Sequence, residues 1–146
     1  MRTMTAVLLL AGLATPAGAS GGISCEASGG PVGLTIEAGV TRGMGGPLFS
    51  FEATANTGDD RVPADLRTVA FSPANVAQYW LDAEDLRLVL YREREGGADH
   101  AEITITIHAK PAEGGAYDGV YRAVVYDIAA GGGPIELAGD ISCQVE

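Results

Sequence analysis

Cysteine is nearly missing from this chain: Cys25 and Cys143 are the only two in 146 residues. They are far apart, with no Cys-x-x-Cys spacing and no histidine close by in sequence, which argues against a redox or metal-binding pair. Histidine is as scarce, and His100 and His108 share one stretch of strand-like sequence. At about 3.4 Å per residue they sit about 27 Å apart, too far to share an ion. Basic residues number nine against nineteen acids, a balance that repels nucleic acid and anionic lipid and favours cationic partners. Long apolar runs are also wanting. The one candidate, residues 6–14, falls well short of the roughly 20 residues a membrane-spanning helix needs. Residues 20–146 hold no Gly-x-Ser-x-Gly elbow for a serine nucleophile. The glycine-rich run from Arg42 to Pro47 is followed by strand-like sequence, so it lacks the helix N-terminus that would hold a phosphate. No motif calls for a cofactor.

What is present begins with an export pattern. Arg2 supplies a positive n-region, Ala6 to Ala14 an apolar core, and Ala17-Gly18-Ala19 a small-x-small cleavage site. Residues 1–19 therefore read as a signal peptide and 20–146 as one β-sandwich domain. Cys25 lacks the preceding pattern of a lipid-modified cysteine. Cleavage after Ala19 takes the chain from 146 residues to 127 and removes one of its nine basic residues, leaving eight against nineteen acids and a net charge of −11. A chain of that length supports one hydrophobic core. In an exported protein Cys25 and Cys143 read as one disulfide clipping the two ends together. The expected location is the periplasm or the cell exterior.

Period-two alternation dominates the rest. Leu34, Ile36 and Ala38 alternate with Thr35, Glu37 and Gly39, and Leu48 to Glu52 reads as a further strand. Ser72-Pro73 has the capping residue and first-turn proline of a short helix, the one helix expected in the mature domain. Leu86 to Tyr91 and Glu102 to Ile107 read as a hairpin. With Gly96-Gly97 as a two-residue primed turn, Leu86, Leu88 and Leu90 fall opposite Ile107, Ile105 and Ile103, Glu93 meets His100, and Asp85 meets His108. Tyr117 to Ile128 is apolar on both faces, as a central strand would be, and Ile135 to Cys143 alternates again. The expected fold is all-β, an antiparallel sandwich or flattened barrel of seven to eight strands with a C-terminal four-stranded meander over residues 85–144.

The residues that could carry chemistry are few. Asp82, Glu84 and Asp85, and separately Asp59 and Asp60, offer oxygens to a hard cation, but without the spacing of a calcium loop. A carboxylate pair for polymer hydrolysis cannot be picked out from nineteen acids. Tyr79, Trp80, Tyr91, Tyr117, Tyr121 and Tyr126 hold most of the aromatic surface; an exposed subset would suit stacking on sugars or a partner, but a single Trp and alternating tyrosines more often belong to a core.

The segment Glu113-Gly114-Gly115-Ala116-Tyr117 resembles the Ser-Gly-x-x-Tyr loop of periplasmic inhibitors of animal lysozymes at Gly114 and Tyr117, with Glu113 in place of the serine. Those proteins are small exported β-domains with a disulfide, and the loop enters the enzyme's cleft. The resemblance implies Glu113, Gly114 and Tyr117 as contact residues and a cationic protein as partner. The leading expectation is a non-enzymatic exported domain that binds a protein. The alternatives are an inhibitor of a lysozyme-type muramidase, a small hydrolase of envelope polymers, and a structural envelope protein without a discrete site.

Overall fold

The computed structural model describes residues 20–41, 48–96 and 99–146. Nine strands form a single antiparallel sheet: β1 (Ser20–Ala27), β2 (Gly33–Thr41), β3 (Leu48–Asn56), β4 (Thr68–Phe71), β5 (Val76–Leu81), β6 (Leu86–Glu93), β7 (Ala101–Pro111), β8 (Ala116–Asp127) and β9 (Ile135–Val145). Their order across the sheet is β4-β3-β2-β1-β9-β8-β7-β6-β5. Two up-and-down meanders, β1 to β4 and β5 to β9, are thus joined side by side where the first strand pairs with the last. The sheet curls until it nearly closes, which replaces the seven or eight strands of the sequence reading with nine in one barrel-like sheet.

The expected helix after Ser72 is a single 3-10 turn, Pro73–Asn75, with the Ser72 backbone N–H and hydroxyl both donating to Asn75 Oδ1. The start signal was real, but Val76 is already extended. The β-branched and aromatic run Val76-Ala77-Gln78-Tyr79-Trp80-Leu81 then pairs with β6 instead of continuing a helix. The C-terminal meander of β6 to β9 is as expected, and β8 is central, hydrogen-bonded to β7 and β9 along nearly its whole length.

The β6–β7 hairpin has a different register from the expected one. Leu86, Leu88 and Leu90 lie opposite Ala109, Ile107 and Ile105, two residues away from the pairing implied by a Gly96-Gly97 turn. Side chains alternate with period two, so a two-residue slip keeps every leucine on the same face and the apolar pattern cannot detect it. Only the turn could decide, and the turn is longer. Arg94 N–H donates to Ala101 O at 2.7 Å, leaving residues 95–100 as the connection. Gly96 does adopt positive φ, at 91°; Gly97 lies outside the described residues.

Alternate residues of every strand point into the barrel. Leu34, Ile36, Phe51, Leu88, Leu90, Ile105, Ile107, Ala123 and Val125 are among those that fill it, and among the described residues no polar side chain is buried there besides the Tyr121 hydroxyl. The residual interior cavity is about 10 Å³ and wholly apolar in its lining, at the limit for one water and without the polar partners a water needs. The barrel is a packed core rather than a ligand pocket. Tyr121 plugs one end. Its hydroxyl donates to Val32 O at 3.0 Å and accepts from Val32 N–H at 3.1 Å, tying the β1–β2 loop across the opening. Opposite it, Gly139 leaves the space the ring occupies, since a Cβ there would lie 2.7 Å from the Tyr121 hydroxyl.

Cys25 and Cys143 are disulfide-bonded and face each other across β1 and β9. The bridge spans 118 residues of sequence. In the chain-entropy account a loop of that size is worth roughly 4 to 5 kcal/mol, so reduction is expected to lower the melting temperature; an unchanged melting temperature would show the bridge to be energetically idle. Tyr121→Phe should cost about 1 to 3 kcal/mol in denaturant unfolding, because it strands both backbone groups of buried Val32. Wild-type stability in that variant would mean the loop finds other partners.

Candidate functional site

Where the sheet closes, the chain itself crosses the seam. β4 pairs with β3 on one side and β5 with β6 on the other, and the Pro73–Asn75 turn carries the chain between them. On the β4 half the gap is bridged by side chains. Arg92 donates to Ala70 O and pairs with Glu95 at 3.0 Å. Arg94, nearly buried, holds Asp65 at 2.6 Å and Asp127 at 3.2 Å and also donates to Asp99 O. The two carboxylates keep Arg94 firmly protonated, chiefly through Asp65. The open slot here, about 380 Å³, is lined by charged groups already committed to one another.

The opposite end of the barrel is different. In the β5–β6 turn, Asp82 Oδ1 accepts from the backbone N–H groups of Glu84 and Asp85, both at 2.8 Å, and Oδ2 accepts from the Trp80 indole N–H at 2.9 Å. These hydrogen bonds, the Glu84 amide first, hold the Asp82 carboxyl below its ordinary value of 3.8. The consequence is an indole fixed by a carboxylate and yet 52% exposed. A tryptophan on a strand normally earns its place by burial. This one faces outward, because Tyr79 and Leu81 take the inward positions.

From Trp80 a row of outward side chains crosses four strands: Trp80 opposite Arg87, Arg87 opposite His108, His108 opposite Val120. Asp85 organises the middle of it, receiving Arg87 and the His108 Nε2, both at 2.6 Å. The two partners, His108 foremost, hold Asp85 below the usual carboxylate range. Thus Asp85 and His108 do meet, although the register that suggested it was wrong; they touch diagonally across the hairpin instead of directly opposite. Val120, 55% exposed, ends the row. An open hollow of about 650 Å³ runs along Trp80, Asp82, Asp85, Arg87 and Val89.

The turn between β7 and β8 borders the same end. Glu113 and Gly114 are exposed, and Gly114 and Gly115 both have positive φ, 71° and 83°. Tyr117 is half-buried, and its hydroxyl donates to Asp82 O at 2.8 Å. Burial pushes the neighbouring Tyr79 hydroxyl up, with Tyr117 adding to the effect. Of the three sequence-predicted contact residues, Glu113 and Gly114 are presented to solvent, while Tyr117 reaches the β5–β6 turn and is engaged at Asp82 O. The glycine-rich run from Arg42 to Pro47 lies outside the described residues.

The remaining candidates separate. His100 approaches Glu102 at 3.1 Å, not Glu93. Glu93 instead lies opposite Glu102, and the Tyr91 hydroxyl sits between their carboxylates, 2.6 and 2.9 Å away. Both acids, Glu93 the more, push the Tyr91 hydroxyl far up. Asp59 forms a two-pronged pair with Arg61, which lowers it to about 2. Among the described residues no three or more acids, histidines or cysteines gather as a metal set would. No helix there is long and apolar enough to cross a membrane. What sequence reasoning missed was the outward face of Trp80. Its signal was the parity of β5, in which Trp80 alternates with the apolar Tyr79 and Leu81. Comparison with family models, curated proteins and solved structures finds no match to this chain.

Because the chain has a single tryptophan, its fluorescence reports directly on the Asp82 contact. The folded carboxyl lies below 3.8, so the contact is complete above that pH and is lost only as pH falls through the lowered value. Emission should stay flat from pH 7 to about 4 and shift below it. Asp82→Ala should shift emission already at pH 7 with an unchanged far-ultraviolet circular dichroism spectrum; wild-type emission in that variant would show that Asp82 does not position the indole.

Proposed function

We propose that this is an exported, non-enzymatic binding domain whose partner is a protein, preferably a cationic one. Its contact surface is the end of the barrel that carries Trp80, Asp82, Arg87, His108 and the turn Glu113–Gly115. One observation carries the reading: Trp80 is held in a fixed orientation by a carboxylate while half its surface stays in water. Tryptophan, arginine and tyrosine dominate the energetics of protein interfaces when they are rigid and centrally placed. Here they lie on strands rather than on a loose loop. Export is supported by the apolar run at residues 6–14, the small-x-small site ending at Ala19 and the disulfide. The preference for a cationic partner follows from the excess of acids, nineteen against nine basic residues.

A second reading, inhibition of a lysozyme-type muramidase, draws on the exposed turn Glu113-Gly114-Gly115. The Tyr117 hydroxyl is bonded to Asp82 O, so in that reading the contact with the enzyme rests on Glu113 and its backbone. The hydrolase alternative would draw on a cross-strand acid pair such as Glu93 and Glu102, which face each other across β6 and β7. They share the Tyr91 hydroxyl on an outward strand face.

Immobilised protein should capture a partner from periplasmic or host-secretion extracts, and Trp80→Ala should abolish that capture while leaving the melting temperature near that of the wild type. Capture undiminished in Trp80→Ala would overturn the assignment of the surface. Titration against a panel of muramidases separates the second reading. Inhibition that is relieved by Glu113→Ala supports it, and unimpaired lysis at micromolar excess removes it.

A further inference from the structure

Most strands of the barrel have two neighbours, but among the described residues β5 pairs only with β6. Its other edge faces the start of β3 across an open slot of about 260 Å³, with Leu48 and Phe51 on one wall and Val76, Gln78 and Tyr79 on the other. Alternate backbone N–H and C=O groups of an edge strand point away from its partner and are ready to bind another strand. Edges are usually blunted by lysine, proline, very short length or a covering side chain. The β4 edge follows that practice: it is four residues long and is covered by Arg92 at Ala70 O. β5 does not. Val76-Ala77-Gln78-Tyr79-Trp80-Leu81 has no charge and no proline, and its only irregularity is a bulge at the Val76 end.

We propose that the β5 edge receives an extended, basic segment of a partner protein, which adds as a further strand and fills the seam. This rests on the reading of the Trp80 end as a protein-binding surface and specifies how the partner is held. Charge selects the occupant. The strand runs into Asp82, Glu84 and Asp85, and Glu84 has no cation partner among the described residues. On the facing meander, Glu37 and Glu52 lie directly opposite one another, both exposed. A second copy of the chain, cleaved after Ala19, would bring eight basic residues against nineteen acids, a net charge of −11 against another −11, whereas a basic segment relieves both clusters. Alternation then assigns the segment's side chains. Those pointing inward meet Leu48 and Phe51 in the slot and are apolar. Those pointing outward pass Gln78 and the exposed face of Trp80, where a lysine or arginine gains a cation–π contact beside Asp82. The recognition is strand addition, with main-chain hydrogen bonds giving affinity and alternate side chains giving selectivity.

The probe is a synthetic peptide of alternating lysine and valine with blocked ends, titrated into the full protein and followed by Trp80 fluorescence and by backbone hydrogen exchange. Saturable binding is expected, with new protection confined to the amides of Val76–Leu81 and adjoining Leu48–Phe51. The same peptide methylated on alternate backbone nitrogens should bind about tenfold more weakly, the scale of one to three lost net hydrogen bonds. A glutamate-valine peptide should be weaker still, and Gln78→Lys, at an exposed position, should weaken the lysine-valine peptide. Equal binding of the methylated peptide would reduce the effect to bulk charge attraction and overturn the proposal. So would protection elsewhere, or protection of Val76–Leu81 that appears with protein concentration alone and marks a second copy as the occupant. If the peptide fails to bind while Trp80→Ala still abolishes partner capture, strand addition is wrong and the protein-binding reading stands. If both fail, the surface assignment falls with it.

Discussion

The pairing of β1 with β9 is the contact on which everything else depends. Without it the chain is two separate meanders, one of four strands and one of five, each with an apolar face it cannot cover alone. Joined, they make a sheet wide enough to curl over its own inner face. The disulfide sits inside this pairing, between residues that are already opposite each other, so covalent and hydrogen-bonded constraints act on the same pair of strands. Closure on the far side is weaker in kind. There the chain crosses between the sheet's two edges, and the gap is spanned by the side chains of Arg92 and Arg94 rather than by a ladder.

That asymmetry explains where the molecule is finished and where it is open. One end is tied off by Tyr121, whose hydroxyl takes both backbone groups of Val32, and the β4 half of the seam is locked by ion pairs. At the other end the β5–β6 turn is ordered from within by Asp82, and Tyr117 braces it from the next hairpin. The rigidity of this end is spent on holding outward groups in place: an indole, a guanidinium and an imidazole in register across neighbouring strands. A surface ordered in this way binds with little loss of side-chain freedom, the condition under which modest contact area becomes useful affinity.

The sequence made the sheet legible because its information was carried by period two. The strand positions other than β5, the central role of β8, the C-terminal meander and the Cys25–Cys143 bridge all follow from alternation and from two cysteines in distant strands. Quantities that alternation leaves unchanged were not legible. The β6–β7 register differs by two residues, a shift that preserves both faces of both strands. The short helix at Ser72 was read from a genuine capping signal whose continuation was overridden by pairing with β6. The strand order is set by long-range contacts that no local pattern reports. At the candidate site, the 113–117 turn was visible as a motif, but its link to the β5–β6 turn depends on Tyr117 reaching Asp82, 35 residues back in the sequence. Trp80 itself looked like core because tryptophans usually are.

The β1–β9 ladder also fixes an order of events. Synthesis delivers β1 before β9, so β1 must wait, with one edge unfilled, until β9 has emerged. β2 and β3 can gather on its other side in the meantime, and the later hairpins can form among themselves from contacts close in sequence. Closure is a long-range step, and steps of that kind are slow because loop entropy is surrendered before any pairing returns it. Until then Cys25 has no partner thiol, and an oxidant acting early finds nothing within the chain for it to join. Formation of the bridge thus doubles as a timestamp: only a chain in which β9 has been made and has reached β1 can carry it.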